Sequence, residues 1–391
     1  MKVAFFSNFL SQHQLPLCEA MAARLGDGFT FVACEQIHQE RVALGFEDMN
    51  AAYPFVLRAY ENAAAYGCAR ALARECDVLI VGSAPQEFAD LHLSSDRLTF
   101  RYSERLFKKG TWRRHGLITH RRLRDAFLKY RASNLYVLCA SAYTASDLDL
   151  CGFPSERCLR WGYFPAVREH ELDALLDSKP SGEVRILWAG RMVSWKHAED
   201  AIRVAARLRS SGHHFTFDII GAGPRESAAR QLISRLGMTD CIHMIGAVPP
   251  DDVRIHMESA NVFLFTSDRR EGWGVVLNEA MNSGCAVVAS HEIGSVPFLM
   301  HDGVNGLVYQ SGNLDSLQRN IVSLLNDRAA CRRIARCAAS TVMRDWSAAT
   351  AVDRLLEVIP HLQSGRGTPF SQGLCSQAPI LTDDWFVDKE L

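Results

Sequence analysis

Short apolar runs recur along the chain, each parted from the next by a stretch of helical periodicity. In the first half they are VAFFSN (3–8), FTFVAC (29–34), DVLIVGS (77–83), LTFRYS (98–103) and NLYVLCAS (134–141), with a helix near 14–25. Runs this short and this apolar fit strands covered on both faces, and their alternation with helices fits a parallel sheet. The pattern lapses in PAVREHELDALLDSKPSGE (165–183), which is polar and bounded by prolines. It restarts with VRILWAG (184–190), FTFDIIG (215–221), CIHMIG (241–246), NVFLFTS (261–267), CAVVAS (285–290) and GLVYQ (306–310). The fold predicted is α/β, with two successive doubly wound domains. Residues 1–165 form the first, 166–183 a linker and 184–345 the second. A C-terminal helix and tail (346–391) return toward the first domain, the tail after 362 being loosely ordered or strapped down by Trp385 and Phe386. Ligands of such sheets bind beyond the carboxyl ends of the strands, so two facing domains make a central cleft.

The bulk numbers exclude several classes of function. A formal net charge of −1 gives no global reason to bind nucleic acid. The twelve cysteines are scattered without a CxxC pair, which suits a reducing compartment better than a disulfide framework. The start, MKVAFFSNFL, has too short an apolar run for a leader and reads as a buried first strand. No run reaches the roughly 18 apolar residues of a membrane span, so the expected location is cytoplasmic.

The chemistry concentrates in DRREGWGVVLNEAMNSG, residues 268–284. Glu271 follows a strand, Gly272 and Gly274 flank Trp273, and Glu279 comes eight positions later. A glycine turn of this kind lets backbone N–H groups approach a ligand, and a helix starting near Gly274 and Val275 would aim its N-terminus at an anion. Glutamates repel phosphate, so Glu271 and Glu279 suit hydroxyl groups. Arg191 and Lys196, in WAGRMVSWKH after another strand, would supply the cations. The competing reading makes all four ordinary surface charges.

GRMVSWK, IIGAGP and TSDRREGWGVVLNEAMNSGCAVVAS resemble the donor-binding half of retaining, family-four GT-B glycosyltransferases, also called group 1, over most of 184–360. The resemblance implies a GT-B fold of two Rossmann-like domains, the first on the acceptor side. It implies that Arg191 and Lys196 hold a donor diphosphate, that Glu279 binds the nucleotide ribose, and that Glu271 contacts the donor sugar. Backbone near Gly272, Gly274 and Val275 would touch phosphate or sugar. Gly221 and Gly223 would let the backbone approach the donor, and Ala247 and Val248 would edge the base. The expected donor is a UDP-sugar, bound as substrate with no further cofactor and no metal. The expected acceptor is a glycan or lipid-linked hydroxyl in exopolysaccharide synthesis.

The first half resembles bacterial exopolysaccharide glycosyltransferases more loosely, through SNFLSQHQLPLCEAM and LTFRYSERLFKKG. Asn8 and His13 stand where the family has a glycine-rich loop, and Arg101-Tyr102-Ser103-Glu104-Arg105 where it has a His-Asp pair. Asn8, His13, Arg101 and Arg105 are therefore acceptor-side candidates. Glu104 is a catalytic candidate that its cationic neighbours would keep ionised. A packed or capping histidine is the plainer reading of His13, and a surface ion cluster that of Glu104. Residues 97–131 carry twelve Lys and Arg against Glu104 and Asp125, interleaved with Leu106, Phe107, Trp112, Leu117, Leu123, Phe127 and Tyr130. Such a stretch suits an anionic membrane surface, placing the protein peripherally at the inner face of the plasma membrane. The alternative is a core-facing stripe with a solvated basic face. No nucleic-acid motif accompanies it. IIGAGPRE is a partial dinucleotide fingerprint in which Glu226 replaces the third glycine, so a dehydrogenase is disfavoured. The two alternatives carried are a GT-B-fold nucleotide-sugar epimerase and a non-catalytic glycan-binding protein.

Overall fold

A computed structural model describes residues 1–37, 48–112 and 116–387. The chain divides into two compact units, Met1–Ala166 with Ser347–Leu381, and Val167–Trp346 with the tail from Thr382. In the first unit the strands are β1 (Val3–Ser7), β2 (Phe29–Ala33), β3 (Val56–Arg58), β4 (Val78–Val81), β5 (Thr99–Ser103), β6 (Leu135–Cys139) and β7 (Cys158–Arg160). They form one parallel sheet in the order β3-β2-β1-β4-β5-β6-β7. Every residue of β1 and β4 is buried, as expected of strands with helices on both faces. The apolar runs mark five of these strands. Strands β3 and β7, three residues each, are too short to stand out.

The second unit carries β8 (Val184–Ala189), β9 (Phe215–Ile220), β10 (Ile242–Gly246), β11 (Val262–Phe265), β12 (Ala286–Ser290) and β13 (Leu307–Tyr309). Their order, β10-β9-β8-β11-β12-β13, is again parallel, so the chain reverses direction across the sheet beside β8. The helices Ala198–Ser210, Leu314–Asn326 and Arg328–Arg344 lay apolar faces on a core that includes Trp188, Phe217, Leu264 and Val288.

The expected linker, 166–183, is a correction. It contains the helix Leu172–Ser178 and lies within the second unit from Val167 onward. Lys179 explains why a polar segment docks. Its buried ammonium donates to the carbonyls of Met257 (3.1 Å), Glu258 (2.8 Å), Ala260 (2.7 Å) and Ser283 (2.9 Å). These carbonyls end the helices Pro250–Ser259 and Val276–Asn282, where a cation is favoured.

The helix Ala348–Gln363 packs within the first unit against Leu15–Leu25, with Arg24 2.8 Å from Asp353. Beyond it the described part of the tail, to residue 387, lies against the protein. Cys375 N–H donates to Arg160 O and Ala378 N–H to Cys158 O, so the tail covers the open edge of β7. It then leaves the first unit after Leu381, whose N–H donates to Ser146 Oγ.

In the basic stretch, Phe107, Leu123 and Phe127 are buried, so the apolar stripe serves the unit's own core. Arg121, Arg122 and Arg124 on the helix Leu117–Ala126 are exposed, and Trp112 is 68% exposed. Arg113 and Arg114 lie outside the described residues. Among the described residues no helix is long and apolar enough to cross a membrane.

Candidate active site

In the second unit the loops after β8, β9, β10 and β11 meet at the carboxyl edge of the sheet. The β8 and β9 loops are stitched by Gly190 N–H to Ile220 O (3.0 Å), Met192 N–H to Ala222 O (2.8 Å) and Arg225 N–H to Met192 O (2.9 Å). This closeness is what Gly221 and Gly223 permit. Their φ values are +133° and +153°, and a Cβ on Gly221 would lie 1.9 Å from Gly190 O. A Cβ on Gly223 would lie 2.6 Å from Met192 O. The two glycines thus seat the segment bearing Arg191. Gly221 N–H also donates to Gly246 O (2.8 Å), which brings Ala247 and Val248 beside the same loops.

Lys196 and Glu271 are brought together, Nζ to Oε2, at 2.6 Å, with their side chains 13% and 16% exposed. Ser267 Oγ donates to the same carboxylate oxygen (3.0 Å), and Lys196 O accepts from Thr266 Oγ1 (2.7 Å). The Arg191 guanidinium is exposed and lies 6.0 Å from the Trp195 ring centre. Asp268 N–H donates to Trp195 O (2.9 Å), and His197 Nε2 lies 3.3 Å from Asp268 Oδ2. His197 adopts a left-handed backbone (φ 52°) to reach it, and the Asp268 hydrogen bond raises its pKa above the usual histidine value. His197 joins the Arg191–Lys196 loop to the Glu271 loop. No periodicity or spacing singles it out.

Gly274, at φ +84°, turns the chain from Glu271 into the helix Val276–Asn282; a Cβ there would lie 2.4 Å from Phe265 Cζ. Trp273 is a correction to the donor-binding set. Its ring is 1% exposed, its Nε1 donates to Asn278 Oδ1 (2.9 Å), and it packs against Trp346 and Phe298. Only its backbone can serve a ligand, and Gly272 beside it is also buried.

Glu279 is partly exposed as a residue, while its carboxyl sits in dense surroundings. Burial raises the carboxyl to about 7, opposed by Arg254 and Arg168. Both arginines are held in place. Arg254 Nε donates to Ser283 Oγ (3.2 Å), and Arg168 pairs with Glu258 and Asp251 at 2.9 Å each. Arg168 also donates its N–H to Asn282 Oδ1 (2.8 Å). Neither arginine stands out by motif, since one sits in the supposed linker and the other inside a polar helix.

The first unit gathers fewer of its candidates. At the end of β1, Ser7 Oγ donates to Asn8 Oδ1 (3.2 Å) and Gln14 Nε2 to Ser7 Oγ (3.3 Å). His13 lies on the turn before the helix Leu15–Leu25 and is partly exposed. Glu104 is ion-paired with Lys108, four residues on, and hydrogen-bonded to Tyr163, whose hydroxyl pKa rises through burial and that carboxylate. Arg101 and Arg105 turn inward, correcting their assignment as acceptor contacts and as the cations beside Glu104. Arg101 sits within β5, so its side chain must pack; NH2 donates to Gln86 Oε1 (2.7 Å) and burial lowers its pKa to about 10. Arg105 lies 4.4 Å over the Tyr143 ring and 3.7 Å from Asp147. Among the described residues no group of three His, Cys, Asp or Glu is arranged to hold a metal.

Residues 177–341 match the family model of the glycosyl transferases group 1. The chain is 28% identical over 258 residues to the amylovoran biosynthesis glycosyltransferase AmsK of Erwinia amylovora, covering 64% of this chain and 61% of that protein. It is 28% identical over 213 residues to the alpha-D-kanosaminyltransferase of Streptomyces kanamyceticus, covering 52% and 54%. These alignments thus span less than two thirds of either relative. Among solved structures, Anabaena Alr3699/HepE in complex with UDP matches with a TM-score of 0.67 at 18% identity, over 92% of this chain and all of that one. The lipopolysaccharide outer core galactosyltransferase WaaB matches with a TM-score of 0.68 at 14% identity, over 94% and 100%. The two parallel sheets are those of the GT-B fold, and residues 177–341 are similar to the group 1 glycosyl transferases.

Proposed function

We propose that the protein is a retaining glycosyltransferase that moves a sugar from a UDP-linked donor to a hydroxyl of a glycan or lipid-linked acceptor in polysaccharide synthesis. The Lys196–Glu271 pair carries the reading. An ammonium and a carboxylate 2.6 Å apart on adjoining strand-end loops offer one group for a phosphate and one for sugar hydroxyls. On donor binding, phosphate oxygens replace Glu271 as the partner of Lys196, freeing the carboxylate for the sugar. Arg191 and Lys196 then stabilise the charge that grows on the diphosphate as the sugar leaves. The family-wide route to retention is front-face displacement, with the leaving phosphate helping to take the acceptor proton. UDP is favoured as the nucleotide because HepE is solved with it. The polysaccharide setting is favoured by the name of the Erwinia relative.

The test is a panel of nucleotide sugars read first by thermal shift and then by nucleotide release with a glycan acceptor. Saturation to a hundredfold above Kd adds about 2.7 kcal/mol of stability. A UDP-sugar should raise Tm and release UDP only when acceptor is present. Conversion of the sugar with no acceptor would establish the epimerase instead. Donor binding without turnover on any acceptor would leave a binding protein. Activity should persist in EDTA, because cations and amides occupy the role of a divalent ion. Loss in EDTA with rescue by magnesium or manganese would overturn that charge balance.

A peripheral membrane location is a second reading, favoured by the solvated Arg121, Arg122 and Arg124 and the exposed Trp112. Sedimentation with anionic but not neutral liposomes is expected, weakening as salt shortens the Debye length below about 8 Å. Reversing the charge of all three arginines should abolish it and leave donor hydrolysis intact. A wild type that ignores anionic liposomes at low salt would make this a plain solvated face.

A further inference from the structure

We propose that the tail segment 382–387 is a positioning strap for the Glu271 loop, gripping it through Asp383 and Trp385. The inference rests on the reading that Glu271 contacts the donor sugar.

The grip has two parts. Asp383 Oδ2 lies 3.2 Å from the guanidinium of Arg269, two residues before Glu271. The Asp383 carbonyl accepts from His291 Nε2 (2.9 Å), and Trp385 Nε1 donates to the His291 carbonyl (3.3 Å). His291 Nδ1 accepts from Ser311 N–H (2.9 Å), so the ring proton is assigned to Nε2, facing the tail. The rings of Trp385 and Phe386 lie 6.5 and 6.4 Å from the His291 ring. The segment after His291 is in turn tied to the Glu271 loop. Arg269 N–H donates to Glu292 Oε2 (3.2 Å) and Gly294 N–H to Glu271 O (3.2 Å). The strap therefore bears on the loop directly through Arg269 and indirectly through residues 291–294. Asp383 and His291 also line a cavity of about 440 Å³ that reaches His197 and Thr266.

Such a device positions and does not bind. The groups expected to hold nucleotide and diphosphate, Arg191, Lys196 and Glu279, make no contact with it among the interactions described. Loosening the loop should therefore lower turnover and spare nucleotide affinity. A displacement of about 1 Å at a reacting centre can cost on the order of 10²-fold.

The experiment uses the full chain with Asp383→Ala and Trp385→Ala combined. Amide exchange over residues 267–274 should quicken at least tenfold. With the donor identified above, kcat should fall tenfold or more while the Kd for UDP stays within twofold. The charge swap Arg269→Asp with Asp383→Arg should recover most of the turnover lost by either change alone while UDP affinity and Tm stay constant across all three proteins, a kcat-only rescue that a contact serving stability alone would not give. Unchanged exchange in the double variant overturns the strap. So does a parallel loss of UDP affinity, kcat and thermal stability. Quickened exchange in a protein whose wild type neither binds UDP nor transfers sugar would retain the strap as a mechanical element and sink the glycosyltransferase reading instead.

Discussion

Arg191→Ala and Lys196→Ala should each lower kcat by about 10²–10³, as removal of one preorganised charge stabiliser does elsewhere. The two variants should differ in everything else. Arg191 is exposed and leans on Trp195, so its loss orphans no buried partner and Tm should hold. Lys196 is largely enclosed against Glu271 and above the Phe265 ring, so its loss leaves the carboxylate hydrogen-bonded to Ser267 without its cation. Removing one member of such a pair costs stability because the other charge stays. Adding Glu271→Gln to Lys196→Ala should return the stability and not the turnover. Calorimetry and single-turnover kinetics on the three variants separate these effects. Near wild-type turnover in both single variants, with folding intact, would remove the two cations from the chemistry.

The legible part of the fold is the part buried on both faces. β4 and β11 are apolar end to end, β1 and β12 are apolar up to a closing serine, and their runs stand out against the helices between them. The same property hides other features. A strand covered on both faces has no wet side, so Arg101 inside β5 must pack, although arginine in a basic stretch suggests solvent. Trp273 sits in a motif that reads as ligand-facing, yet ring size and an indole donor satisfied by Asn278 place it in the core. The 166–183 segment looks like a linker because its anchor is one lysine, and only the geometry of two helix ends reveals four carbonyls around Nζ. In the site, Lys196 and Glu271 could be paired in advance from strand-end positions. Arg254, Arg168 and His197 could not, because their roles arise from contacts 25 to 111 positions apart in sequence, set by docking and not by local pattern.

Glu279→Gln should stabilise the protein at pH 8 and weaken nucleotide binding at the same time. Burial raises the Glu279 carboxyl from 4.5 to about 7, with Arg254 and Arg168 pulling it back. In the unfolded chain the group ionises near 4.5. Between there and about 7 the folded protein keeps a proton that the unfolded chain has lost, so stability falls as pH rises. The loss is close to 1.4 kcal/mol for each pH unit, about 3 kcal/mol in all once the pH exceeds 7. Glutamine cannot ionise. The variant should therefore match the wild type below pH 4.5 and exceed it by up to about 3 kcal/mol at pH 8, read by urea unfolding at both. Binding should move the other way. A ribose hydroxyl donating to an ionised carboxylate is worth about 1.5–3 kcal/mol, which an amide oxygen recovers in part. Because that bond needs the ionised form, UDP affinity of the wild type should climb with pH toward 7 relative to the variant, whose own pH dependence reports only the remaining groups. A variant less stable than the wild type at pH 8, with the deficit disappearing as the pH falls below 4.5, would make Glu279 a conventionally paired acid. Equal UDP affinity in both proteins at pH 8 would remove it from the nucleotide site.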